Sequence, residues 1–220
     1  MGPPLQSSPY QLRVEGRDDR HCVVHLLGRH GFDWDDDTRD RPYVSYADGK
    51  DQLFASLSVI VKGSYERVGF VVDADTEVQD RWAQVRDRLK AAGLTPPDGP
   101  DPAGTIIPGL RPRSLVGVWL MPDNANPGRL EDFLVKLVDG DNLCWQHAQE
   151  ATAEAARRGC ASHDAVKSTL HAWLAWQQEP GLPFGTALRA HLFRSDSEDA
   201  RRFVAWFTHL FGEEGESNGT

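Results

Sequence analysis

The chain has 220 residues, of which 40% are hydrophobic and 26% charged, and it carries a formal net charge of −9. That is room for one domain with an appendage and enough apolar mass for a real core. The acidity repels nucleic acid at long range and argues against a simple DNA-binding module. It argues less against an enzyme whose carboxylates are neutralised by metal ions. Cys22, Cys144 and Cys160 are widely spaced and form no CxxC pair, so neither a disulfide framework nor a zinc site is indicated. No signal core and no apolar run near the ~18 residues of a membrane helix are present, and the reading is a soluble cytoplasmic protein without membrane contact. Residues 1–9 and 212–220 read as flexible tails.

In chain order, "YQLRV" (10–14) predicts a first strand, and Val23, Leu26 and Leu27 predict a helix that stops at Gly31. "DWDDDTRD" (33–40) reads as a solvated acidic loop, lacking the spacing and terminal glutamate of an EF-hand. "YVSYA" (43–47) predicts a second strand, Leu53, Leu57, Ile60 and Val61 a second helix, and "RVGFVV" (67–72) a third strand buried on both faces. Thr76 and Gln79 have capping-box spacing ahead of a helix with Val78, Trp82, Val85 and Leu89 inward. After a Pro/Gly loop (93–104), "SLVGVWLM" (114–121) predicts a fourth strand, and Asn126 with Pro127 a helix start. That helix carries Leu130, Phe133, Leu134, Leu137 and Val138. Strand–helix alternation through about residue 140 predicts an α/β fold with a mostly parallel four-stranded sheet. Residues 141–211 predict a helical extension packed on it, with helices near 144–158, 164–177, 184–193 and 197–211.

Functional groups of open α/β sheets gather at the carboxyl ends of the strands. The first strand runs into "VEGRDD" (Glu15, Asp18, Asp19) and the third into "VVDADTE" (Asp73, Asp75). The fourth runs into "MPDN", followed by "GRLEDF" with Asp123, Glu131 and Asp132. Crowded carboxylates need a compensating cation, and hard divalent ions such as Mg²⁺ or Mn²⁺ accept carboxylate oxygens readily. Several of these acids also have ordinary readings: Asp75 as a helix-start acid, Asp18 as a cap, Asp123 with Asn124 as a turn. His21 and His25 lack a third ligand and read as surface histidines, while Trp82, Trp173 and Trp206 sit in apolar stripes and read as core.

Glu15-Gly16 after one strand and Asp73-x-Asp75 after another, in this order, resemble a TOPRIM domain, the fold shared by topoisomerases, bacterial primases and OLD-family nucleases. "VEGRDD" resembles the OLD-type opening, in which a second acid follows the glutamate by four positions, here Asp19. "MPDN…GRLEDFL" and "KSTLHAWLAWQQEPGLPFGTA" resemble a small TOPRIM-like family of uncharacterised function. The resemblance implies a TOPRIM-like domain over residues 10–140 and a Mg²⁺- or Mn²⁺-dependent nuclease acting on DNA or RNA. Glu15, Asp73 and Asp75 would be metal ligands, with Asp19 and Glu131 as additional ligands, and Lys167 would offset charge on the scissile phosphate. The position two residues after Asp75, an aspartate in topoisomerases and primases, is Glu77 here. No P-loop is present, so the ATPase that accompanies OLD nucleases would be a separate protein partner. The alternative reading is a non-catalytic TOPRIM-like module that senses a nucleotide or serves as a regulatory subunit.

Overall fold

The computed structural model describes residues 8–32, 34, 41–160 and 162–212. The acidic stretch at 33–40, Trp34 apart, and nearly all of both tails lie outside the described residues. Elements alternate as expected through the first half: β1 (Tyr10–Val14), α1 (Arg17–Arg29), β2 (Tyr43–Tyr46), α2 (Lys50–Lys62), β3 (Arg67–Asp73) and α3 (Val78–Ala92). They continue as β4 (Thr105–Pro108), β5 (Leu115–Met121), α4 (Leu130–Lys136), α5 (Leu143–Arg157), α6 (Ala165–Ala175), α7 (Phe184–Arg189) and α8 (Glu198–Phe211).

The sheet has five strands in the order β2-β1-β3-β5-β4, not four. Four are parallel, and β4 pairs antiparallel with β5 at one edge. β4 leaves little trace in the sequence because it is only "TIIP", and Pro108, which cannot donate to a ladder, is tolerated only at such an edge. Alternation along the strands sorts their side chains to two faces. Val68, Phe70, Val72, Val116, Val118 and Leu120 join α2 and α3 in one core. Leu12, Val14, Val71, Trp119 and Met121 face the other way, in one continuous core with α1 and the helices from α4 to α8. The helices after residue 141 therefore share their core with the sheet.

Two predicted helix starts are corrected. The N-cap of α3 is Glu77, and no side-chain bond caps the helix, so Thr76 and Gln79 form no capping box. Asp75 adopts a left-handed backbone (φ 55) and exchanges both backbone hydrogen bonds with Gly128, at 2.9 and 2.7 Å, which delays the helix. The same bridge keeps Asn126 and Pro127 in a turn. Asp123 pins that turn by accepting from the N–H groups of Ala125 and Asn126, so Asp123 does act as a turn residue, and α4 begins only at Leu130.

α8 crosses β3 and β5 over two glycines paired in register, Gly69 and Gly117. A Cβ on Gly117 would fall 2.4 Å from Leu210 Cδ2, and one on Gly69 would fall 2.7 Å from Leu12 Cδ1 and 3.0 Å from Leu210 Cδ2. The small residues let the helix seat Phe203, Trp206, Phe207 and Leu210 directly on the sheet. Gly117→Val is expected to destabilise the protein by about 1–3 kcal/mol through overpacking. Urea unfolding checks this, and an unchanged midpoint would mean that α8 does not pack there.

Candidate active site

β1 and β3 are parallel neighbours, but the chain leaves β1 toward β2 on one side and β3 toward β5 on the other. Such a reversal opens a crevice at the carboxyl ends of the two strands. Glu15 and Asp73 emerge there side by side. Gly16, the N-cap of α1, stands between Glu15 and the helix, and Asp19 in the first turn accepts the Gly16 N–H at 3.1 Å. The capping acid is thus Asp19, not Asp18, which is exposed.

A cavity of about 410 Å³ is lined by all five predicted acids, Glu15, Asp19, Asp73, Asp75 and Glu131, together with Lys167. Arg17, Asp18, Lys50 and Arg129 complete its charged rim. Lys167 comes from the first turn of α6 and Glu131 from the first turn of α4, and the two meet at 2.9 Å. The meeting is arranged by the helix starts. Arg129, the N-cap of α4, pairs at 2.5 Å with Asp164, the N-cap of α6, whose other oxygen accepts the Lys167 N–H. The stripe Leu170, Trp173 and Leu174 anchors α6 in the shared core, with Val166 packed beside it.

The acids fall into two groups. Asp75 is paired with Arg81 and with Lys50, the latter at 3.3 Å, and Glu131 is paired with Lys167. Glu15 Oε2, Asp19 Oδ1 and Asp73 Oδ1 are buried without a hydrogen-bond partner. Burial, then the charges of Asp19, Glu15, Glu131 and Asp75, push Asp73 up to about 9. Asp19 is pushed up to about 7, mainly by burial and then by Glu15 and Glu131, against the pull of backbone N–H groups. Glu15 is raised by burial and by Asp75. The Glu131 hydrogen bond raises Lys167, which keeps it a cation.

The donor set is all hard oxygen, with three unsatisfied buried carboxylate oxygens, and it fits Mg²⁺ or Mn²⁺ better than zinc. Among the described residues no three His, Cys, Asp or Glu side chains converge as a ready-made ligand shell. Mg²⁺ commonly takes only one or two carboxylates and keeps its waters, so this spacing suits it.

The sequence profile of a family described as a protein of unknown function (DUF3226) matches residues 9–212. The chain belongs to the DUF3226 family. No curated protein and no solved structure matches it. The span matched to DUF3226 contains every residue of the cavity, from Glu15 to Lys167.

Sequence reasoning missed Arg81, Lys50 and Arg129. Arg81 carried a signal, because it sits on the buried stripe of α3 between Val78 and Val85 and is itself only 4% exposed. Lys50 carried another, since a lysine in the first turn of a helix opposes the helix dipole unless an acid lies nearby. Arg129 carried none, since its partner lies 35 positions away.

The raised carboxylates give a pH prediction. A folded carboxyl that titrates near 7 or 9, against about 4 unfolded, binds more protons than the unfolded chain across that window. Its contribution therefore makes the metal-free protein less stable as pH rises from about 4 to about 9. Asp73→Asn removes the largest such group. In chelator, its melting temperature is expected to gain on that of wild type progressively from pH 5 to pH 9. A difference that stays constant across the range would contradict the burial of a charge-disfavoured Asp73.

Proposed function

We propose that this protein is a Mg²⁺- or Mn²⁺-dependent nuclease of the TOPRIM type, cleaving phosphodiester bonds in DNA or RNA. The observation that carries the reading is the pairing of three unsatisfied buried carboxylate oxygens with a lysine held across the same cavity. The emergence of Glu15 and Asp73 at the switch point of a mostly parallel sheet supports the TOPRIM assignment.

In this reading the free oxygens of Glu15, Asp19 and Asp73 would hold the cation, one or two directly and the rest through its waters. A divalent ion bound there supplies Lewis acidity toward a phosphoryl oxygen and lowers the pKa of water. Asp75 would add its charge from the side while Arg81 and Lys50 fix its orientation. Lys167, held by Glu131, offsets the charge that develops on the scissile phosphate. Arg17, Lys50 and Arg129 on the rim offset the overall acidity for an incoming phosphate.

Purified protein is expected to nick supercoiled plasmid in Mn²⁺ and not in chelator. Asp73→Asn abolishes nicking, while Lys167→Ala lowers its rate about 10²-fold, the scale of one lost transition-state contact. Lys167→Ala should leave the metal-induced rise in melting temperature intact, because an ammonium is no metal ligand. Nicking that persists in Asp73→Asn at the wild-type rate would overturn the proposal.

A further inference from the structure

Residues 20–32 and 180–194 contain no aspartate or glutamate, although the chain holds 33 acids and has a net charge of −9. The fold brings these two segments together. α7 lies along α1: a Cβ on Gly185 would meet His21 Cβ at 2.8 Å, and burial, then the neighbouring Arg189 charge, disfavours protonation of His25. Farther along, Arg29 Nη1 donates to His191 Nε2 at 2.5 Å, and His30 contacts the Ser195 carbonyl at 2.8 Å. The seam begins at the carboxylate cavity, because Arg17 on its rim is the first residue of α1. Arg17, His21, His25 and Arg29 recur every four residues along that helix.

Exposed arginines along the seam include Arg17, Arg189 and Arg29, and exposed Asp18 adjoins Arg17. Arg29 donates to His191, which helps to hold the guanidinium in place. From Arg17 to Arg29 the helix rises ~18 Å, long enough to span several phosphates of one strand. Toward the Arg29 end, a cavity of about 580 Å³ opens beside α1, walled by Phe32, Trp34, His25 and Arg189 of α7. Trp34 is fixed there by donating to the Val24 carbonyl at 2.9 Å, and Phe32 by edge-on contact with Phe207. Two fixed aromatic rings beside an arginine are the elements of a base-stacking platform. Asp33 and Asp35 flank Trp34 in the chain and lie outside the described residues.

We propose that the α1–α7 seam is a track for single-stranded nucleic acid. Arg17, Arg189 and Arg29 take successive phosphates, and a base enters the Phe32–Trp34 cavity, so that the strand is led into the carboxylate site. The proposal rests on the nucleic-acid reading of that site, and its test separates the two. Binding is measured in the cleavage-deficient Asp73→Asn background by fluorescence anisotropy. The probes are labelled oligothymidylate and oligouridylate of about 16 nucleotides, alongside a duplex of the same length. The single strands are expected to bind more tightly than the duplex, and the preferred one of the two tells whether DNA or RNA is the ligand. Arg29→Glu with Arg189→Glu should weaken single-strand binding at least about ten-fold and reduce the slope of log K against log salt by about 1.4. Both arginines are exposed, so circular dichroism should be unchanged. Equal affinity in the double variant, tighter binding of the duplex, or no binding of either strand at about 100 µM would each overturn the track. Arginine-dependent binding with no metal-dependent nicking by the wild-type protein would leave the track standing and remove the nuclease reading.

Discussion

Like charge crowded at one edge of a parallel sheet is the constraint around which this molecule is arranged. Parallel pairing of β1 with β3 makes Glu15 and Asp73 neighbours, and the starts of α1 and α4 add Asp19 and Glu131. Repulsion and burial together disfavour the ionised forms. The fold compensates from the outside inward. Asp75 has Arg81 and Lys50, and Glu131 has Lys167, whereas the inner three keep unsatisfied oxygens. On the proposed metal reading, a cation that entered this cavity would meet acids already oriented by a strand end or a helix start, and its binding would displace protons from Asp73 and Asp19. Affinity for the ion should therefore rise with pH through the same window in which the metal-free protein loses stability.

The helical half gains its meaning from the same edge. Lys167 faces Glu131 because two helix starts are tied by Arg129 and Asp164, and because α6 is anchored by Leu170, Trp173 and Leu174. α8 in turn seats on the sheet through Gly69 and Gly117. A helix that supplies a wall of the cavity and shares its core with β1, β3 and β5 does not behave as a separate unit. Truncation after α4 would expose Trp119, Phe133 and Leu134, so removing the helices should cost the fold as well as the lysine.

Most of this was legible in the sequence where hydrophobic period and strand ends carried it. Eight helices and four strands follow from apolar stripes such as Phe203, Trp206, Phe207 and Leu210, or from runs such as Val68–Val72. The convergence of Glu15, Asp19, Asp73, Asp75, Glu131 and Lys167 follows from the carboxyl-edge rule and from the resemblance to TOPRIM domains. What escaped was set by contacts between distant residues. β4 is too short to show a period, and its pairing with β5 is fixed by register alone. The late starts of α3 and α4 come from the Asp75–Gly128 bridge, which joins residues 75 and 128 and leaves no local mark. Arg81 was visible only as a charge on an apolar stripe, and reading it required knowing that Asp75 turns back toward it. The charge segregation along α7 and along α1 beyond its first turn was present as an absence of acids from residues 20–32 and 180–194, and only their packing turned it into a surface.

A crystal soaked in Mn²⁺ and measured at a wavelength where manganese scatters anomalously tests the central claim most directly. The account predicts an anomalous peak among the free oxygens of Glu15, Asp19 and Asp73, with Lys167 still on Glu131 across the cavity. A crystal that takes up manganese elsewhere, leaving these three carboxylates without a peak, would contradict it.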